Sequence, residues 1–237
     1  MNFLPEAYST VAPGISELFN LIFGLTTFWF IVAYGAAFYG IFTSLKTKGG
    51  KAKYITGESF SESKLVWIVV ILVIACDFWI DIKTAHQWSS VEIEADMPKG
   101  DMDIKIVGRQ FQWEFVYPGK DGKLFTEDDV GVADGNDGEL VLPIGKVTKL
   151  HITSADVLHA FFVRQFGFKQ DAIPGRVLTR WVQPTKEGRI ELTCAEICGP
   201  NHGTMRNWVK IVSQDEFDKY VKSLNSNKVA MLTPLGE

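Results

Sequence analysis

Cys194-Ala-Glu-Ile-Cys198-Gly-Pro-Asn-His202-Gly-Thr-Met205 places two thiols, an imidazole and a thioether within a dozen residues. Positions 194, 198 and 202 are spaced for one face of a helix, but Gly199-Pro200 interrupts it. The stretch therefore reads as a loop wrapped around a metal, joining strand candidates at 189–194 and 208–212. Soft sulfur beside imidazole suits copper or zinc, and a thioether favours copper. His159, in Asp156-Val-Leu-His159-Ala-Phe, adds a second imidazole. Cys194, Cys198, His159 and His202 would also complete one tetrahedral zinc, leaving Met205 unused. A third reading makes the Cys and Met residues ordinary packing.

Working outward, the surroundings of the loop alternate as strands do. Residues 102–117 place Phe111, Trp113, Phe115 and Tyr117 on one face. Further strand candidates are 141–154, 157–164 and 177–182, punctuated by Asp121-Gly122, Asp134-Gly135 and Asp137-Gly138. Many short strands predict a sandwich or Greek-key barrel. Ser213-Gln-Asp-Glu216 is a capping box opening a helix with Phe217, Tyr220, Val221 and Leu224 on one stripe.

Upstream the chain changes character. Residues 21–42 are almost wholly apolar or small, long enough to span a bilayer, and no charge interrupts them. A second apolar run, 65–76, is too short alone, so its helix must continue through Asp77 and Asp81, one turn apart. Asp77 either marks a functional acid at membrane depth or lies near the outer interface against a partner. Between the spans stand Lys46, Lys48, Lys51, Lys53 and Lys64, which predicts a cytoplasmic loop with both termini outside. The segment Met1-Asn-Phe-Leu-Pro-Glu has no basic region before an apolar stretch, so no cleavable signal is expected. The net charge of -4 argues against nucleic acid as a partner. No C-x-x-C-H occurs, so no covalent haem is expected. The expected organisation is 1–90 as N-terminal segment and two spans (about 20–43 and 64–86), 91–213 as the β domain, and 214–237 as helix and tail.

The loop resembles subunit II of the haem–copper cytochrome c oxidases, which carries C-x-E-x-C-x3-H-x2-M downstream of D-V-x-H. Asp171-Ala-Ile-Pro-Gly-Arg176, between them, is another hallmark of that family. The resemblance implies a two-helix transmembrane hairpin followed by an all-β cupredoxin-like Greek-key barrel. It also implies a binuclear copper A centre, with Cys194 and Cys198 bridging two coppers and His159 and His202 each capping one. Met205 and the backbone carbonyl of Glu196 become the outer ligands, and the Glu196 carboxylate helps bind magnesium at the contact with subunit I. The implied function is electron transfer from a c-type cytochrome to the haem of subunit I, where oxygen is reduced to water. The enzymatic activity is then that of the assembled proton-translocating oxidoreductase, and the chain alone is a carrier. Implied partners are subunits I and III, membrane lipid and the cytochrome, either soluble or membrane-bound in a supercomplex. The implied location is the bacterial inner membrane, multi-pass, with the barrel on the periplasmic or extracellular side.

Some positions depart from that family or admit a plainer role. Electrons enter its members at the first Trp of G-x-Q-W-x-W; here Phe111 stands there and Trp113 matches the second. Phe keeps a π surface but loses the indole N–H. Asp137, Asp156 and Asp171 coincide with acids of the family's cytochrome-docking face, against a plain solvated role. Lys64 stands where the family commonly has a Glu near a proton-uptake route. The acidic stretch 121–139 is solvated, steers a basic donor, or binds calcium through Asp121, Asp128 and Asp129, although its spacing is not that of an EF-hand. Three alternatives stay open: the copper A subunit of a nitric oxide reductase, a copper-free quinol oxidase scaffold, and a membrane-tethered zinc protein.

Overall fold

The computed structural model describes residues 4–46, 56–92, 97–133 and 138–226. It divides into two units, one formed by Met1–Ile15 with Ser89–Glu237 and the other by Ser16–Trp88. The second unit consists of most of α1 (Ala12–Lys46) and α2 (Phe60–Glu92). Both helices are long and apolar enough to cross a membrane. Their large apolar side chains, such as Ile31 and Phe42 on α1 and Leu65 and Ile71 on α2, stand exposed. A helix apolar on all sides and unburied by its own chain is suited to lipid. Lys48, Lys51 and Lys53 of the lysine-rich loop lie outside the described residues.

Among the described residues, the first unit is built on ten strands. β1 (Met102–Arg109), β2 (Gln112–Tyr117), β3 (Val130–Ala133), β5 (Thr148–Ser154) and β8 (Leu178–Val182) form one sheet, in the order β3-β2-β1-β5-β8. β4 (Leu140–Pro143), β6 (His159–Val163), β7 (Phe168–Ala172), β9 (Gly188–Cys194) and β10 (Arg206–Val212) form the other, in the order β4-β10-β9-β6-β7. Two parallel pairings, β1 with β5 and β4 with β10, are set among antiparallel ones. The resulting two-sheet domain is cupredoxin-like. Its core is apolar from both sheets: Ile104, Ile106, Trp113, Phe115 and Leu150 from one meet Phe161, Leu192 and Val209 from the other, all fully buried.

The alternating stretch at 102–117 is two strands. The chain reverses at Gln110 and Phe111, and β1 pairs with β2 from Arg109↔Gln112 back to Lys105↔Val116. Trp113, Phe115 and Tyr117 keep the inward face, while Phe111, at the turn, is only partly buried. The expected strand at 141–154 likewise divides into β4 and β5. α3 (Gln214–Ser226) begins where the capping box predicts, with the Glu216 N–H donating to Ser213 Oγ at 3.3 Å. Phe217 and Leu224 are buried against the β domain, and Tyr220 packs edge-on to Tyr117 with ring centroids 5.7 Å apart.

The segment before α1 belongs to the β domain. The Tyr8 N–H donates to the Gln165 carbonyl at 2.9 Å, and the Thr185 N–H to the Tyr8 carbonyl at 3.0 Å. Ser9 Oγ donates to the Phe166 carbonyl at 2.8 Å and accepts the Ala12 N–H at 3.1 Å, in a site only 1% exposed. Ser9 thus ties the chain down and caps the start of α1 together. Ser9→Ala should cost about 1–2 kcal/mol, because a buried carbonyl and an N–H both lose their partner. Denaturant unfolding of the full chain measures this, and loosening of the segment should show as faster proteolysis near Tyr8.

Candidate metal centre

His159 opens β6 and Cys194 closes β9, and the two strands pair with Phe161 opposite Cys194. That register brings an imidazole and a thiol from distant parts of the sequence to one end of the second sheet. The loop after Cys194 turns back through a short 3-10 turn at His202–Thr204 and rejoins the sheet at β10. Its ends are closed by the Cys194 N–H donating to the Met205 carbonyl at 3.1 Å. The Ala195 N–H donates to the Ala160 carbonyl at 3.0 Å and holds the loop to β6.

The donor atoms form a connected cluster. Cys194 Sγ lies 3.9 Å from Cys198 Sγ and 4.0 Å from His159 Nδ1. Cys198 Sγ lies 3.7 Å from His202 Nδ1 and 3.8 Å from Met205 Sδ. The Glu196 carbonyl is 3.2 Å from Cys194 Sγ. His159, Cys194 and Cys198 offer ligand atoms all within 4.8 Å of one another. Donors sharing one tetrahedral ion, with bonds of about 2.0–2.3 Å, stand about 3.3–3.8 Å apart. The spacings here match that within a few tenths of an ångström, so the donor set fits a soft metal. His159, Cys198 and Met205 are at most 3% exposed and Cys194 is 8% exposed, so water is largely kept out.

Burial, then the neighbouring charge of Cys194, pushes the Cys198 thiol up to about 11. A cation beside the sulfurs would offset this and favour the Cys198 thiolate. The supports of His159 come from β1, the turn after it and the turn between β5 and β6. His159 Nε2 lies 2.8 Å from Asp156 Oδ1, which leaves Nδ1 facing the sulfurs. Burial opposes the charge on Asp156, but hydrogen bonds from His159, the Gln110 N–H at 2.7 Å and the Val157 N–H at 2.6 Å prevail and hold its carboxyl below the usual range. Gly108 lies beneath the His159 ring, where a Cβ would come within 2.9 Å of Cδ2. The Gln110 amide donates to the Cys198 carbonyl at 2.5 Å. Gly108, Gln110 and the bond from Asp156 to His159 are functional features that sequence reading missed; the signal was an acid three residues before a histidine.

Phe111 packs against the ligand loop, and a Cβ on Gly199 would meet its ring at 3.0 Å. Trp113 is fully buried, edge-on to His159 with centroids 6.0 Å apart, and has no surface to offer a donor. The Glu196 carboxylate lies 3.7 Å from Lys169 Nζ, which also pairs with Asp171 at 3.2 Å. Asp156 is shared between surface and His159. Asp137 lies outside the described residues. In the acidic stretch, Asp121, Asp128 and Asp129 accept backbone N–H groups of their own loop, at 2.8, 3.1 and 2.7 Å.

Comparison with known proteins places these features in a family. Residues 102–212, β1 to β10, match the model for cytochrome c oxidase subunit II, periplasmic domain. A probable cytochrome c oxidase subunit 2 of Rickettsia felis is 32% identical over 183 residues, covering 71% of this chain and 54% of that protein. An alternative cytochrome c oxidase subunit 2 of Bradyrhizobium diazoefficiens is 29% identical over 229 residues, covering 88% of this chain and 79% of that protein. Among solved structures, the periplasmic domain of subunit II of cytochrome oxidase from Bradyrhizobium japonicum is 34% identical, covers 56% of this chain and 99% of its own, and superposes with a TM-score of 0.49. The chain spans about half the length of several of the curated relatives it matches. With the sulfur–imidazole cluster inside the matched region, the β domain of this chain, residues 102–212, belongs to the cytochrome c oxidase subunit II periplasmic-domain family.

Proposed function

We propose that this chain is the electron-transfer subunit of a terminal respiratory oxidase, holding binuclear copper A among His159, Cys194, the Glu196 carbonyl, Cys198, His202 and Met205. The observation that carries this reading is the connected donor set with Cys198 at its hub. Bound there, the copper pair would supply one-electron redox chemistry. The chain's own residues supply rigidity. Asp156 fixes the tautomer and direction of His159, β6 and β9 fix the separation of His159 and Cys194, and burial excludes water. Little then moves when the charge changes.

A c-type cytochrome would dock on the face carrying Asp156 and Asp171, with Asp137 as a third acid, steered by complementary charge. Phe111, partly buried against the loop at Gly199, would present a π surface beside the donor loop, with Trp113 as packing. Electrons would pass onward to the haem of subunit I, where oxygen is reduced. Glu196, paired here with Lys169, would turn its carboxylate to a magnesium ion shared with that subunit. Subunit III and membrane lipid complete the expected surroundings. The hydrogen bonds tying residues 8–12 to the β domain support a topology with the N-terminus and that domain on one side of the bacterial inner membrane, the periplasmic side.

Stopped-flow reduction of the loaded protein by a c-type cytochrome tests the assignment. Phe111→Ala should slow the electron-transfer step by about tenfold while leaving the salt-dependent association rate nearly unchanged, because no charge is altered. Neutralising Asp171 should do the reverse. A parent protein that the cytochrome does not reduce would contradict the reading, and transfer at the parent rate in Phe111→Ala would move the doorway elsewhere.

A further inference from the structure

We infer that Gln110 is a positioning residue that locks the two ligand-bearing segments of the centre to each other. The inference rests on the reading of these side chains as a metal-holding set. One segment is 156–159, which delivers His159; the other is 194–205, which delivers the sulfurs and His202. No strand pairing reaches the middle of the second segment, because β9 ends at Cys194 and β10 starts at Arg206. Cys198 lies in the gap, four residues beyond the last ladder position.

Gln110 fills that gap from the opposite sheet. Its backbone N–H donates to Asp156 Oδ2 at 2.7 Å, and the other oxygen of the same carboxylate takes His159 Nε2 at 2.8 Å. Its side-chain amide donates to the Cys198 carbonyl at 2.5 Å. One residue at the tip of the β1–β2 hairpin thus holds the histidine arm through its main chain and the cysteine loop through its side chain. The loop is shaped to receive it. Gly199 sits at φ 137°, and a Cβ there would lie 2.9 Å from Gln110 Nε2 and 3.0 Å from the Phe111 ring. A backbone with a side chain at that position cannot come this close. Gln is suited because it offers a neutral donor with reach. Glu, of the same shape, presents only acceptors when ionised and would face a carbonyl.

The test uses the full chain with Gln110→Leu and Gln110→Glu, and Gln112→Leu as a neighbouring control. In the copper-loaded protein, Gln110→Leu should load fully, shift the copper hyperfine pattern, and release copper to a chelator about tenfold faster, the scale of one lost hydrogen bond. Gln110→Glu should lose copper faster still, and Gln112→Leu should match the parent. In the metal-free, reduced protein, alkylation of Cys198 should also speed up about tenfold in Gln110→Leu, because its loop is no longer held. Parent-like alkylation together with a parent-like hyperfine pattern in Gln110→Leu overturns the inference. A parent chain that takes up no copper overturns the reading beneath it instead, and the alkylation rate then still decides whether Gln110 holds the loop.

Discussion

Replacing Cys198 by serine is expected to abolish the proposed binuclear centre while leaving the β domain folded. Cys198 Sγ is the hub of the cluster, within 3.7–3.9 Å of His202 Nδ1, Met205 Sδ and Cys194 Sγ. A serine hydroxyl is nearly isosteric but hard, and it does not ionise as a thiol does, so it bridges soft metals poorly. The fold loses little, because the side chain lies in a loop and the sheet pairings of β9 and β10 do not pass through it. Copper content should fall to a single ion or none, the visible colour of the oxidised protein should vanish, and electron uptake from a cytochrome should drop by about a hundredfold or more. Metal analysis and unfolding curves, read together, separate loss of the site from loss of the fold. Full copper content in Cys198→Ser would mean that the sulfur is not a ligand.

Gly108→Ala should produce nearly as large a loss from a residue that touches no metal. The added Cβ would lie 2.9 Å from His159 Cδ2, 3.0 Å from Cγ and 3.2 Å from Cβ, against a ring with no exposed surface. Trp113 stands edge-on to the ring, and Asp156 holds its Nε2. The ring cannot yield without breaking one of these, so the hairpin or the imidazole must shift. Overpacking of this kind costs about 1–3 kcal/mol. Misplaced support around a metal ligand costs about 10–100-fold in affinity. Copper affinity measured against a competing chelator should fall by that amount, with unfolding free energy reduced in parallel. Parent affinity in this variant would show that His159 has more room than the geometry allows.

The parts of this protein that were legible in the sequence are those written locally. The clustered sulfurs and His202 lie within a dozen residues, the helices apolar enough to cross a membrane are long apolar runs, and Ser213 announces its helix. What was not legible depends on the return of the chain. The hairpin at Gln110 and Phe111 has none of the usual Gly, Pro, Asn or Asp turn signals at its tip, so 102–117 read as one alternating stretch. β3 is four residues long, and β7 carries Lys169 and Asp171 in a run of five, too short and too charged to register as a period. The supports of the site are nonlocal in the same way. Asp156 read as a docking acid, and its bonds to His159 and the Gln110 N–H emerge only when β1, β2 and the turn before β6 meet. The docking of residues 8–12 on the β domain had no local signal either, because it consists of main-chain bonds and one Ser9 hydroxyl bond to positions far away in the sequence, 157 residues for Ser9 and Phe166.

Electron paramagnetic resonance of the oxidised, copper-loaded chain, with copper counted in the same sample, separates a two-copper centre from a single-ion site. One unpaired electron shared equally by two coppers is expected, seen as a hyperfine pattern from two equivalent nuclei. A signal confined to a single copper nucleus, or a chain that holds one zinc and no copper, would contradict it.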